Sequence, residues 1–157
     1  MPDILHDFPV GRPPAEVFRA IAEPAGLDQW WTRSSAGRAA VGEEYQLGFG
    51  PGYDWTAMVI ELVPDRRLVW RMAVAMPDWV GTVIGFDLEP RGAGTQVRFR
   101  HEGWAEADGH FRTSSYCWAM YLRLLARLVE RGEAVPYESR LSVWRPSPAP
   151  SRSSRTS

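Results

Sequence analysis

The stretch GTQVRFRHEGWAEADGHFRTSSYCWAMYLRLLARLVERG, residues 94–132, decides the fold. In its first part Thr95, Val97, Phe99 and His101 share one parity and Gln96, Arg98 and Arg100 the other, the alternation of a strand with one buried face. After a polar turn the period changes. Ser114, Trp118, Tyr121, Leu122, Leu125, Leu128 and Val129 recur at helical spacing, whereas Arg123, Arg127, Glu130 and Arg131 fall on the opposite side. Thr113 and Ser114 offer hydroxyls to the orphan amides of a first turn, and Gly132 can adopt the left-handed conformation that ends a helix. The spacing predicts a helix over 113–131. At 1.5 Å per residue it runs about 28 Å, so its apolar stripe needs a broad surface to lie on.

The sequence upstream supplies that surface. Residues 3–10 fit a first strand, with Ile4, Phe8 and Val10 apolar. Pro13-Pro14 then opens a short helix in which Val17, Phe18 and Ile21 share a face, since a proline's missing N–H has no partner at a helix start. Pro24 stops it, and a second short helix is expected over 24–30, before Trp31. From 41 to 103 the period is two. Apolar parity sets are Tyr45, Leu47 and Phe49; Met58, Ile60 and Leu62; Leu68, Trp70 and Met72; Val80, Thr82, Ile84, Phe86 and Leu88; and Thr95 to His101. Gly50-Pro51-Gly52, Pro64-Asp65 and Pro90-Arg91-Gly92 separate them as turns. Five strands on short turns make an antiparallel meander with one apolar face. The long helix covers that face, the first strand joins an edge, and the class is α+β.

The 157 residues fit one domain over 1–137, followed by an Arg/Ser/Pro-rich tail over 138–157 expected to be disordered, in which Leu141, Val143 and Trp144 could dock. Net charge is −1, divided between 14 Arg against 18 acids before residue 138, giving −4, and 4 Arg against one Glu after it, giving +3. A mildly acidic domain lacks the clustered cations that displace counterions from phosphates, so no nucleic-acid partner is expected. The chain has no Lys, which removes Schiff-base chemistry, and no Asn, which removes Cys-His-Asn catalysis. Cys117 is the single cysteine, so no internal disulfide or thiolate metal cage can form. With no apolar run of membrane-spanning length and no leader-like N-terminus, a cytoplasmic setting is the expectation.

Several motifs in this order resemble one family: Pro14-Ala15-Glu16-Val17-Phe18-Arg19-Ala20-Ile21; Leu27 with Trp30-Trp31; Glu61-Leu62-Val63-Pro64-Asp65-Arg66-Arg67-Leu68-Val69-Trp70; Gly94-Thr95-Gln96-Val97 with His101-Glu102-Gly103-Trp104; and Trp118. The sequence is similar, over residues 3 to about 135, to the activator of Hsp90 ATPase homologue 1-like (AHSA1) branch of the SRPBCC (START/Bet v 1-like) superfamily. That resemblance implies a helix-grip fold, a curved antiparallel sheet wrapped around a long C-terminal helix with a cavity between them. Relatives of this kind include carriers of lipids and hydrophobic metabolites, polyketide cyclases and co-chaperone domains, so the fold leaves function open.

The inward set is Tyr45, Phe49, Met58, Trp70, Met72, Thr82, Ile84, Phe86, Phe99 and His101 from strands, with Trp118, Tyr121, Leu122 and Leu125 from the helix. Aromatic and apolar with a few polar groups, it suits a hydrophobic guest, although a solid core would use the same residues. His101 is the one candidate catalyst, either a general base or a buried structural histidine, and Tyr45 or Tyr121 could assist it. No carboxylate shares its parity, since Glu61, Asp87 and Glu102 point the other way. His6, His101 and His110 have no metal-ligand spacing, and no cofactor is expected. One of Trp30 and Trp31 should anchor the short helix and the other guard the cavity. The sequence therefore favours a binding module for a lipid, polyketide or aromatic metabolite over a cyclase- or hydrolase-type enzyme. A co-chaperone-like interaction domain ranks third, and homodimerisation stays open.

Overall fold

The computed structural model describes residues 1–140. Its elements are β1 (Ile4–Val10), α1 (Pro14–Ala22), α2 (Pro24–Leu27), β2 (Ser34–Ala36), β3 (Glu44–Gly48), β4 (Asp54–Val63), β5 (Arg67–Val74), β6 (Val83–Arg91), β7 (Gly94–Glu102) and α3 (Gly109–Arg131), followed by a 3-10 turn over Tyr137–Ser139. The strands form one curved antiparallel sheet in the order β1-β7-β6-β5-β4-β3-β2. β1 pairs with β7 along its whole length, from Ile4 opposite His101 to Val10 opposite Thr95, which puts the first strand at an edge as its pattern implied. The α+β helix-grip arrangement follows: the sheet presents its apolar face to α3, with α1 and α2 closing one side.

Packing explains the local choices. Val17, Ile21, Leu27 and Trp30 are wholly buried, and the Trp30 indole donates to the Ala20 carbonyl at 3.0 Å, locking two short helices that could not persist alone. The opposite sheet face carries ions in a ladder. Arg67 and Arg100 both meet Asp87, at 2.6 and 2.7 Å, and Arg98 reaches Asp7 and Glu89. These pairs are largely exposed, so they orient the outer face more than they stabilise it.

Six details differ from the pattern-based expectation. The helix α3 begins at Gly109, four residues before the expected start, because Asp108 rather than Thr113 or Ser114 is its N-cap and accepts from the Phe111 amide at 3.1 Å. At 23 residues it spans about 34 Å. Its C-terminal end is as read: Gly132 is left-handed (φ 68°) and donates to the Leu128 carbonyl. In β4, Val59 pairs with Trp70 and Glu61 with Val69, leaving Ile60 as an extra residue. That bulge puts Ala57, Val59 and Leu62 on the core side and turns Met58 outward, where it is 43% exposed. Extrapolating parity backward from Leu62 fails at that residue.

Val80, expected inward on β6, sits in the turn before it and is half exposed. The second short helix ends at Leu27, with turns continuing to Trp31, and the edge strand β2 is too short and polar to have shown a period. Glu138 to Arg140, assigned to the tail, are part of the 3-10 turn and its cap, and Arg140 is buried. The remainder of the expected tail, 141–157 including Leu141, Val143 and Trp144, lies outside the described residues.

Candidate functional site

The residues expected to line a cavity separate into two groups. Tyr45, Trp70, Met72, Ile84, Phe86, His101, Leu122 and Leu125 come together, but in a solid core where each is at most 2% exposed. Rings fill the space: Trp70 meets Phe86 edge-on at 6.2 Å, Phe86 meets Phe99 at 5.2 Å, and Phe99 lies 4.5 Å from Trp118. Tyr45 donates its hydroxyl to the Ala22 carbonyl at 2.6 Å, tying β3 to the end of α1, and burial pushes its pKa up to about 12.

His101 sits at the centre of that solid half. The Thr82 hydroxyl donates its only proton to the Trp79 carbonyl at 2.6 Å, so at the 2.8 Å contact with Thr82 the imidazole Nε2 must be the donor. Nδ1 is then left with its lone pair, which accepts the Trp118 indole N–H at 3.1 Å. Both ring nitrogens are satisfied in one neutral tautomer. Burial, with a smaller push from His110, drives the pKa of His101 down to about 3. The ring holds Trp118 and the β5–β6 connection in place, and it does not border the cavity described next.

That cavity, of about 320 Å³, opens at the other end of α3. One wall is aromatic: Trp31, Phe49, Trp55, Trp79 and Trp118, with Trp55 5.0 Å from both Phe49 and Trp79 and Trp118 5.0 Å from Trp31. α3, which contributes Trp118, also brings His110, Thr113, Ser114, Cys117 and Tyr121 to the lining. Tyr53, Met76 and Tyr137 complete the rim. Of the sequence candidates, Phe49, Trp118 and Tyr121 border it. Met58 is on the far face of the sheet. Burial raises the Tyr121 pKa to about 12 and also raises that of Cys117, so both stay neutral at physiological pH.

Trp30 is the anchor and Trp31 the cavity residue, an assignment the dipeptide alone could not make. Trp55, Trp79 and His110 are also additions. Trp79 sits in the irregular β5–β6 connection, where no periodicity reports direction, and His110 precedes the point where the helix was taken to start. The C-terminal segment holds the rim. Tyr137 donates to the Phe49 carbonyl at 3.0 Å, and the buried Arg140 guanidinium donates to the carbonyls of Val135, Thr32 and Asp28 at 2.9, 3.0 and 2.6 Å. Among the described residues no cluster of three or more His, Cys, Asp or Glu converges as a metal site, and no helix is long and apolar enough to cross a membrane.

Comparison with known proteins places this geometry. The profile of the activator of Hsp90 ATPase homolog 1-like proteins matches residues 12–130. The chain belongs to that family, within the SRPBCC superfamily. The Aha1 dimer from Colwellia psychrerythraea, solved in solution, is 31% identical with a TM-score of 0.78, covering 85% of this chain and all of that one. A protein from Mesorhizobium loti is 20% identical (TM-score 0.74), over 84% of this chain and 99% of that one. CalU16 from Micromonospora echinospora is 21% identical (TM-score 0.70), over 90% and 85%. At those lower identities the likeness is one of fold. No curated protein matches the chain.

Proposed function

We propose that this AHSA1-like domain binds a hydrophobic, partly aromatic small molecule in the cavity between the aromatic wall and the exposed end of α3. The observation that carries this reading is the contrast in packing along one helix. Trp118 is packed on Phe99 and its neighbours on one side and borders about 320 Å³ of open space on the other. That volume is at the lower end of small-molecule sites, and the lining is indole and phenyl with a few fixed polar groups, as such sites require.

Catalysis through His101 has no such support, because neither ring nitrogen is free and the ring is walled off from the cavity. The test is native mass spectrometry of the purified protein for a co-purifying small molecule, followed by calorimetric titration with a panel of fused-ring aromatics. Binding that is lost in Trp55→Ala while the fold is retained supports the proposal. A panel with no binder and no co-purified guest removes it. The Colwellia relative is a dimer, and self-association of this chain is proposed on that likeness, to be read from the same native spectra.

A further inference from the structure

Resting on the proposed cavity, a further feature indicates what kind of guest fits it. His110 occupies the first turn of α3, and its Nδ1 is paired with the Asp78 carboxylate from the β5–β6 connection. A carboxylate only accepts, so Nδ1 is the donor and the proton-accepting or second donating position is Nε2. No described residue bonds Nε2, although the ring borders the cavity. Trp104 packs against the ring edge-on at 6.0 Å, and Asp78 holds Nδ1, so its direction is set from two elements. This is the carboxylate partner absent beside His101, here joined to a histidine that does face open space.

The polar groups beyond it are ordered. Thr113, Ser114, Cys117 and Tyr121 follow His110 along the helix and border the same cavity. Ser114 accepts from the Trp79 indole at 3.4 Å, which leaves its own proton to donate. A flat guest lying on the tryptophans therefore meets hydrogen-bonding groups along one edge only, and its strongest acceptor is the Asp78-oriented imidazole at the mouth. The first turn of a long helix also favours negative charge building on an oxygen placed there.

We propose that Asp78 and His110 form a recognition pair for an acidic aromatic hydroxyl. The guest is a fused-ring aromatic whose phenol-type O–H points out of the cavity and donates to His110 Nε2, with Asp78 fixing tautomer and ring direction. If the proton transfers fully, the O–H bond breaks, an N–H forms, and a phenolate–imidazolium pair sits against the Asp78 carboxylate with no other reactant needed.

The test compares 2-naphthol with 2-methoxynaphthalene, which share a ring system and differ in the donor, by calorimetric titration of the full chain. The wild type is expected to bind 2-naphthol about fivefold more tightly, the factor of one modest hydrogen bond. His110→Phe brings the ratio to about one while still binding both probes, and Asp78→Ala, which leaves the ring free to turn, lowers it. Circular dichroism checks that each variant is folded. Equal binding of the two probes by the wild type overturns the proposal, as does an unchanged ratio in either folded variant, and both results leave the cavity reading standing. Binding of neither probe overturns this inference, and the cavity reading falls with it only if the wider panel and the native spectra are also empty.

Discussion

The two ends of the space beneath α3 are built from the same kinds of residue and differ in how they are finished. At the deep end, Trp70, Phe86, Phe99 and Trp118 close on one another and His101 links the Trp118 indole to the Thr82 hydroxyl by two hydrogen bonds. At the mouth, Trp31, Phe49, Trp55 and Trp79 form a comparable aromatic group, but α3 there presents imidazole, hydroxyls and a thiol to about 320 Å³ of open space. Aromatic composition therefore does not distinguish a core from a site. What distinguishes them is whether the rings close on one another or leave open space beside them.

Trp118 belongs to both ends, so its removal is the largest perturbation. Trp118→Ala should cost about 3–5 kcal/mol of unfolding free energy and abolish binding together with it, measured by urea denaturation and titration. A variant with full stability would show that the deep end is not packed as described. Next comes His101→Leu, which leaves the Trp118 indole N–H without its acceptor and should cost about 2 kcal/mol at neutral pH with guest affinity little changed.

The same residue carries a pH signature. The unfolded chain protonates His101 near its ordinary 6.5, but the folded protein resists until about 3, so the unfolded state holds more protons in between. Its contribution to stability is complete above 6.5 and is lost as the pH falls through that window. Subtracting the His101→Leu stability curve from that of the wild type should isolate this slope. A flat difference between pH 6.5 and 4 would contradict the buried neutral ring.

Arg140→Ala should cost about 1–2 kcal/mol, since it releases three hydrogen bonds to backbone carbonyls, and it should also weaken guest retention because Tyr137 loses its neighbouring anchor. Dissociation rates by stopped flow separate the two effects. Phe49→Ala should sharpen the contrast most directly, with about 1 kcal/mol of stability lost but guest affinity down roughly tenfold. Smallest is Met58→Ser on the outer face, within about 0.5 kcal/mol and silent in binding. A large effect there would restore the unbulged register of β4.

Much of the fold was legible because one face of nearly every strand is apolar and α3 repeats at helical spacing over its last five turns. The lost details share a cause. Met58 is misdirected because a bulge at Ile60 leaves no mark on composition, and β2 is only Ser34-Ser35-Ala36, too short to show a period. At the site, Phe49, Trp118 and Tyr121 could be read from parity and period. Trp55, Trp79 and His110 could not, because they stand beside turns, a long connection and the first helical turn, where direction is set by tertiary contacts. His101 allowed two readings, a general base or a buried structural histidine. It shares parity with the apolar face because it is part of the core, and the histidine open to a guest is the one outside the expected helix.

The crowding of indoles has an optical consequence. Trp31, Trp55, Trp79 and Trp118 all border the cavity with ring centres 5.0 to 6.1 Å apart along the chain Trp31–Trp118–Trp79–Trp55. Chromophores this close share excitation, so the near-ultraviolet ellipticity should show paired bands of opposite sign in place of independent tryptophan signals. An aromatic guest entering the cavity would reshape those bands and divert the emission of all four rings at once. Such a change would report occupancy without a label.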